Sequence, residues 1–185
     1  MRCLLLLAAF IVCGPPLAEA QELRRAEIFA GYSYLGFDSG GAREHLHGFE
    51  AAATGYVNDY FGVTGGVSGH FDSRGAGTCT PPELCLPAPG REFSFYNFHG
   101  GIQLKARGRR LSPFARALAG GSRLKVDVGA FQAFRESSFS FAAGGGLDLR
   151  VGGRVSLRLT QVEYLQTRFA GSRQDNVRVS AGVVF

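Results

Sequence analysis

Apolar and polar residues alternate along much of this chain with a period of two. In Asn176–Phe185 the odd positions are Val177, Val179, Ala181, Val183 and Phe185, while most even positions are polar or small. Successive side chains of a strand point to opposite faces, so the alternation predicts a strand with one apolar and one polar face. Strands that separate lipid from a polar barrel interior show this pattern.

The same alternation predicts eight strands. They are Glu27–Phe37, His47–Val57, Tyr60–Phe71, Phe93–Ala106, Pro113–Ser122, Ser138–Val151, a seventh that begins at Arg154, and Asn176–Phe185. The segments are long enough for tilted transmembrane strands, which need ~9–11 residues each. We therefore predict an all-β fold, an eight-stranded antiparallel up-and-down transmembrane β-barrel.

Two of these strands have an irregular pattern. In the fifth, three alanines oppose Phe114, Arg116 and Leu118, so the outward face is ambiguous. In the seventh the apolar parity slips before Val162, and we expect a β-bulge near Gln161 to absorb the slip and keep Glu163 away from lipid.

The connections between the predicted strands alternate between short and long. The short ones are Asn58–Asp59, Arg107–Ser112 and Gly152–Gly153; the long ones are Asp38–Leu46, Asp72–Glu92, Arg123–Ser137 and Ala170–Asp175. Outer-membrane barrels have short periplasmic turns and longer extracellular loops. The alternation therefore predicts that both termini are periplasmic.

The first residues of the chain have the composition of an export signal. Arg2 is followed by the apolar stretch Cys3–Val12, and Ala18–Ala20 is a small-x-small cleavage site. The apolar stretch is shorter than the ~20 residues of a membrane helix. We predict a cleaved signal peptide over residues 1–20 and one barrel domain over residues 21–185.

Composition and charge narrow the choice of partners. The chain has 27 glycines and 16 phenylalanines, which favours strands, and a net charge of +5. Its arginines are scattered singly and form no nucleic-acid-binding stripe, so we expect no nucleic acid partner. Anionic headgroups of lipopolysaccharide and phospholipid are the expected partners of the basic residues at both rims, and a charged rim that only meets water is the equal alternative. The basic rim residues are Arg43, Arg74, Arg91, Arg123, Lys125, Arg135, Arg168 and Arg173 near the long connections, and Arg107, Arg109 and Arg110 in one short turn.

A soluble barrel such as a lipocalin-like carrier is the structural alternative. Its apolar faces would point inward and its polar faces would meet water. The polar faces here are rich in Gly, Ser and Thr, which suit the crowded interior of an eight-stranded barrel. A soluble exterior would carry more Lys and Glu, so the composition favours the membrane barrel.

The sequence resembles the small eight-stranded outer-membrane barrels of Gram-negative bacteria, namely the OmpA transmembrane domain, OmpX-like proteins and opacity-protein porins. The resemblance rests on Glu27–Phe37, Ser112–Phe114, Gln161–Leu165 and Asn176–Phe185. It implies an outer-membrane location and makes Phe185 similar to the terminal signal read by the outer-membrane insertion machinery. It extends only to the barrel part of OmpA, so we expect no tether to peptidoglycan.

The predicted inward faces collect ten ionisable residues, which form a candidate lumenal polar network: Glu50, His70, His99, Lys105, Arg116, Asp148, Arg150, Arg158, Glu163 and Arg178. An unpaired buried charge is costly, so we expect salt bridges and hydrogen bonds that fill the barrel. The resemblance to OmpA implies an alternative, a gated conductance path in which an acid exchanges arginine partners.

An outer-membrane lipid-modifying enzyme, a deacylase or acyltransferase, is the rival from another class. Glu50, Ser68 and His70 lie on neighbouring predicted strands, with His99 one strand further on, but no nucleophile motif marks them. His45 and His47 lack a third metal ligand. We therefore predict no enzyme activity, no metal site and no cofactor.

Cys79 and Cys85 are the cysteines that remain after the predicted cleavage. They share one Pro-containing connection, and in an oxidising compartment we expect them to form a disulfide that stiffens it. The predicted function is structural or interactive, with a possible surface ligand at the loops and at most a narrow gated pore.

Overall fold

The computed structural model describes residues 26–38, 43–74, 91–128, 131–169 and 172–185. These residues form a closed barrel of eight antiparallel strands in chain order, which confirms the predicted fold class. The strands are β1 (Ala26–Asp38), β2 (Arg43–Tyr56), β3 (Phe61–Arg74), β4 (Arg91–Lys105), β5 (Leu111–Val128), β6 (Phe131–Gly152), β7 (Val155–Phe169) and β8 (Ser172–Val184). The described residues contain no helix long and apolar enough to cross a membrane.

The barrel closes where β1 pairs with β8. Phe29 lies opposite Val184 and Gly36 opposite Val177 in this register. Ile28 and Phe185 exchange backbone hydrogen bonds of 3.1 and 2.9 Å, so the last residue of the chain extends the seam.

The two ends of the barrel differ in their connections. We call the end with residues 57–60, 106–110 and 153–154 the turn end, and the opposite end, where residues 39–42, 75–90, 129–130 and 170–171 connect the strands, the loop end. The first turn is set by Asn58, whose Oδ1 accepts hydrogen bonds from the backbone N–H groups of Tyr60 (3.0 Å) and Phe61 (2.7 Å). Gly153, in the last turn, has a φ of 33°, which favours glycine.

All four predicted long connections are wrong in extent, and residues 72–74 and 91–92 of Asp72–Glu92 belong to β3 and β4. Residues 123–128 and 131–137 belong to β5 and β6, which are 18 and 22 residues long, whereas Arg123–Ser137 was expected to be a loop. Residues 43–46 and 172–175 likewise belong to β2 and β8. The strict alternation of long and short connections is therefore not found.

The apolar side chains of the middle of the barrel point outward, which contradicts a soluble carrier with apolar faces turned inward. Phe98, Ile102 and Leu104 of β4 are exposed, whereas Asn97, His99 and Gln103 on the other face are buried. In β5 the ambiguity is resolved in the same sense: the alanines face outward, and Phe114, Arg116 and Leu118 are buried inside.

A β-bulge in β7 restores the alternation, as predicted. Arg158 lies opposite Gly182 of β8 and Gln161 opposite Ser180, so β7 has one extra residue between them. Leu159 and Thr160 are both exposed, while Gln161 and Glu163 are buried. The bulge thus keeps both polar side chains inside the barrel.

Toward the loop end the interior becomes apolar. We call the buried cluster there the apolar plug; it consists of Leu35, Phe37, Leu46, Phe95, Leu118, Leu124, Val126, Ala142 and Leu165, with Phe93 packed against it. Near the loop end, these buried apolar residues alternate along the strands with exposed polar or charged residues such as Arg123 and His45. The pattern is reversed relative to the middle of the barrel because at this level water, and no longer an apolar phase, meets the outer face.

Candidate functional site

Nine of the ten predicted lumenal residues are buried inside the barrel: Glu50, His70, His99, Lys105, Arg116, Asp148, Arg158, Glu163 and Arg178. Arg150 differs: it is exposed at the turn end of β6, where the register with β7 shifts. It therefore does not join the buried set. The buried charges form two separate clusters at different depths.

The central cluster contains two carboxylates and two guanidinium groups. Arg116 donates to Glu50 through Nη2 and to Glu163 through Nε. Arg178 donates to Glu163 through Nε at 2.8 Å and lies 3.7 Å from Glu50. Gln161 Nε2 and Ser180 Oγ complete the partners of Glu50, at 3.0 and 2.7 Å. The four formal charges of the central cluster cancel, which lowers the free-energy cost of burying them.

The second cluster lies nearer the turn end. Lys105 Nζ is 2.8 Å from both Glu27 and Asp148. Arg158 binds the two oxygens of Asp148 at 2.8 and 3.1 Å, and its guanidinium carbon lies over the rings of Phe29 and Phe114, 4.4 and 4.0 Å from their centroids. Two cation–π contacts and a bidentate carboxylate hold this arginine in place.

Sequence reasoning missed Glu27 and Tyr56 as members of this second cluster. Tyr56 donates to Glu27 (3.0 Å) and accepts from Gln103 (2.7 Å). The parity of the first strand could have found Glu27, since it shares a face with Phe29 and Ser33. That strand was weakly patterned because its inward residues Phe29 and Leu35 are apolar.

A layer of hydroxyl, amide and imidazole groups separates the central cluster from the apolar plug. His70 Nε2 is hydrogen-bonded to Ser33 Oγ (2.9 Å), and His99 Nε2 to Ser140 Oγ (2.7 Å). Ser122 links Ser140 (2.7 Å) to Asn97 (2.5 Å). The Glu50, Ser68 and His70 combination considered from the sequence does not assemble, because Ser68 contacts Asn97 and Arg178 and not His70.

The interior leaves almost no free space at the central cluster. The cavity beside it measures about 10 Å³ and is lined by Glu50, Ala52, Thr64, Gly66, Val67, Ser68, His99, Arg116, Leu118 and Arg178. This is about enough space for one water molecule. The site therefore offers no room for a substrate.

His45 and His47 lie on the outward face of β2. Each is hydrogen-bonded through Nδ1 to a tyrosine hydroxyl of β1, His45 to Tyr34 and His47 to Tyr32. Among the described residues no three His, Cys, Asp or Glu side chains are grouped so that they could hold a metal ion.

The predicted rim residues are only partly described. Arg123, Lys125 and Arg135 are close together on the outer face of β5 and β6, beside a cavity of about 320 Å³ that Tyr96 and Phe98 complete. Arg107 lies over the Tyr56 ring at 4.5 Å, and Arg109, Arg110 and Arg168 are exposed. The side chains of Arg43, Arg74 and Arg91, the disulfide of Cys79 and Cys85, and the signal peptide over residues 1–20 lie outside the described part of the chain.

At the loop end of β8, Arg173 and Tyr164 surround one carboxylate. Asp175 Oδ1 accepts from the Tyr164 hydroxyl (2.5 Å) and from Arg173 Nε (2.9 Å). These hydrogen bonds, the one from Tyr164 first, hold the pKa of Asp175 below its ordinary value. Arg173 and Asp175 lie beyond Val177, the last outward apolar residue of β8 toward the loop end, and Tyr164 lies opposite Val177.

Residues 4–185 match the family model described as outer membrane protein beta-barrel domain. Among solved structures, the barrel is similar to neisserial surface protein A, with 15% identity over 86% of this chain and 95% of that chain and a TM-score of 0.67. It is also similar to Ail, the attachment invasion locus protein of Yersinia pestis, solved with the heparin analogue sucrose octasulfate, with 18% identity, 86% and 97% coverage and a TM-score of 0.59.

The N-terminal barrel domain of OprF from Pseudomonas aeruginosa is a third similar structure, with 8% identity over 87% of this chain and 98% of that chain and a TM-score of 0.52. No curated protein matches the sequence. At these identities the likeness to the solved structures shows the fold alone.

Proposed function

This chain belongs to the outer membrane protein beta-barrel domain family, and we propose that it is a closed barrel that presents a protruding sheet for contact at the cell surface. The family membership confirms the predicted resemblance and the Gram-negative outer membrane as its location. In our proposal the turn end and both termini are periplasmic and the loop end faces outward. The longest connection, residues 75–90, joins strands at the loop end and supports this orientation.

One observation carries the proposed contact role: among the described residues, β6 forms no ladder with β7 over residues 131–139. β6 pairs with β5 from Phe131 onward, but with β7 only from Ser140 onward. On the other side, β3 pairs with β4 out to Arg74, whereas its pairing with β2 stops at Phe71. Residues 72–74, 91–94, 123–128 and 131–138 therefore form a protruding sheet that extends beyond the closed barrel.

An unpaired edge can accept a strand from another chain, because its backbone N–H and C=O groups have no ladder partner. Within residues 131–139 of β6, Ser138 contacts β7 through its side chain. Its Oγ is hydrogen-bonded to the backbone of Arg168. The edge thus offers a template for β-augmentation, with the closed barrel as its anchor in the membrane.

The filled interior favours a role as a structural scaffold rather than as a pore. Both charge clusters are internally neutral, and the apolar plug lies between them and the loop end. A gated pore remains the second candidate, favoured by Arg116, which already contacts two alternative acids, Glu50 and Glu163. Opening would require the plug as well as the ion pairs to move.

The buried Ser–His pairs argue against a hydrolase or acyltransferase. His70 and His99 are at most 7% exposed, and the cavity beside His99, of about 10 Å³, is too small for a lipid. A nucleophile and base need a substrate atom within hydrogen-bond reach. We infer that these pairs are structural and that the protein is not an enzyme.

The proposed partners follow from position and charge. Phospholipid and lipopolysaccharide headgroups would contact the basic residues of the two rims, and Phe185 would be read by the insertion machinery during assembly. Ail was solved with a sulfated ligand. An anionic surface partner is compatible with the exposed Arg123, Arg135 and Arg168 of this chain.

The contact role is tested by blocking the edge. We would express the protein in a non-adherent Gram-negative strain and measure adherence to immobilised matrix proteins and between cells. Glu136→Pro and Ser137→Pro are compared. The N–H groups of consecutive strand residues point to opposite sides, so one of the two variants removes a donor on the side of β6 that faces away from β5. Arg154→Gln, exposed at the turn end, is the control.

We expect the wild type and the control to increase adherence and one proline variant to abolish the increase while remaining a folded barrel. Unchanged adherence in both folded proline variants would contradict the edge as the contact site. Adherence no greater than that of the empty strain would contradict the contact role itself.

A further inference from the structure

Three cations occupy one patch on the outer face of the barrel, just beyond its exposed aromatic residues. Lys125 of β5 lies directly opposite Arg135 of β6, and Arg123 is two residues from Lys125 on the same face. Arg123 in turn lies opposite Tyr96 of β4. Since directly opposed residues of paired strands share a face, these four side chains form a contiguous surface.

The cations are only partly neutralised. Lys125 pairs with Asp127 at 2.5 Å, while Arg123 and Arg135 have no ion-pair partner among the described residues. Glu92 and Asp127 lie opposite each other one step further toward the loop end. The two arginines are therefore free to bind an external anion, and guanidinium groups bind phosphate through paired hydrogen bonds.

An apolar groove begins directly below the cations. Phe98 and Phe139 lie on either side of Gly121, in the same row of the sheet. They are 59% and 70% exposed, and the space where a Cβ of Gly121 would be is empty within 4 Å. The two rings therefore line the sides of the groove, and Gly121 lies at its base. The cavity of about 320 Å³ beside Tyr96, Phe98, Arg123, Lys125 and Arg135 lies in this region.

We propose that this patch binds a phosphorylated, multiply acylated lipid of the outer leaflet, the chemistry of lipid A, with a phosphate on Arg123, Lys125 and Arg135 and an acyl chain between Phe98 and Phe139. The inference deepens the proposed function and rests on its orientation, in which the loop end lies in the outer leaflet. It assigns lipid to the outer face of β4–β6, separate from the free edge of β6.

The arrangement favours a lipid over a soluble polyanion. A sulfated sugar would use the three cations but gain nothing from the exposed Phe98 and Phe139. A lipid uses both, because its headgroup and chains are joined at the interface where charge gives way to apolar surface. Charge complementarity and the depth of the patch therefore point to the same occupant.

The test uses the protein purified from outer membranes and transferred into detergent. Native mass spectrometry measures binding of diphosphoryl lipid A, enzymatically dephosphorylated lipid A, phosphatidylglycerol and a sulfated heparin fragment. The variants are the triple Arg123→Gln, Lys125→Gln, Arg135→Gln and, as a charge-matched control at the opposite rim, Arg109→Gln, Arg110→Gln, Arg154→Gln. Gly121→Phe fills the groove without a change of charge. A heat-dependent shift on a denaturing gel verifies that each variant is folded.

We expect wild type and control to bind diphosphoryl lipid A, and the first triple variant to bind at least about tenfold more weakly, since charge-assisted hydrogen bonds to phosphate are lost. Gly121→Phe should also weaken binding, and dephosphorylated lipid A and phosphatidylglycerol should bind more weakly than lipid A.

Equal binding of dephosphorylated lipid A, of phosphatidylglycerol or by the folded first triple variant would overturn the proposal. Binding of the heparin fragment with displacement of lipid A would assign the patch to a soluble polyanion instead. Because adherence is measured separately with the β6 prolines, a loss of the lipid site leaves the contact role standing, and the converse holds too.

Discussion

Arg116 and Glu50 form an ion pair across the barrel interior, between strands β5 and β2, which are not neighbours in the sheet. The same guanidinium contacts Glu163 of β7, and Arg178 of β8 contacts Glu163 in turn. One cluster of four charges therefore connects four strands on different sides of the barrel and closes its centre.

Removal of Arg116 should destabilise the barrel strongly. In Arg116→Met the two carboxylates Glu50 and Glu163 keep only Arg178 as a cation, and breaking a buried pair costs about 3–5 kcal/mol. Urea unfolding of the protein in lipid vesicles measures the loss. Arg173→Met is the matched control, because Arg173 is exposed and pairs with Asp175 in water. A free energy of unfolding equal in the two variants would contradict a structural role for the central cluster.

The apolar plug makes a second prediction. Phe95 is fully buried within it, so Phe95→Ala should lower the free energy of unfolding by about 3–5 kcal/mol, as for other large core residues. Phe98→Ala, on the outer face of the same strand, creates no internal cavity and should cost clearly less. Equal losses in the same vesicle assay would show that the plug is not packed as described.

Deletion of Thr160 tests the β-bulge of β7. Without the extra residue, either Arg158 or Glu163 must turn from the interior to the lipid face, because the side-chain period of a strand is two. An arginine on the lipid face costs about 2–4 kcal/mol near the midplane and a glutamate less, in addition to the lost partners. We expect the variant not to assemble, seen as loss of the heat-dependent gel shift. Normal assembly would mean that the register of β7 is not fixed by the bulge.

The pH dependence of Asp175 follows from its lowered pKa. A carboxylate whose folded pKa lies below its unfolded value stabilises the fold at pH values above the unfolded pKa, and this contribution is lost as the pH falls through the folded pKa. NMR titration should give a lower midpoint for Asp175 in the wild type than in Tyr164→Phe, which lacks the hydrogen-bonding hydroxyl. Identical midpoints would contradict the observed contact.

The fold could be predicted from the sequence because the lipid-facing and lumenal faces alternate regularly in the middle of the strands. The extensions of β5 and β6 were missed for a physical reason. Beyond the apolar belt the outer face meets water, so Arg123 and Lys125 point outward and Leu124 and Val126 inward. The period of two continues there, but the apolar residues are now on the inward face. Because the prediction relied on outward apolar residues, it assigned these segments to a loop.

The composition of the candidate site was predictable, but its contacts were not. Nine charged or imidazole residues could be placed inside from parity alone. Their pairing depends on which residues lie at one depth of a tilted barrel, as with Lys105 of β4 and Glu27 of β1. That depth is set by the register between strands. The alternation of residues within one strand does not determine this register.

The central claim is that the filled interior of the barrel does not conduct ions. The most direct test is ion conductance across a planar lipid bilayer into which the purified protein has been inserted. The two neutral charge clusters, the apolar plug and the cavity of about 10 Å³ predict no steady current at any moderate voltage, while a general porin in the same bilayer conducts. Reproducible stepwise currents from the wild-type protein would contradict the closed scaffold and favour the gated pore.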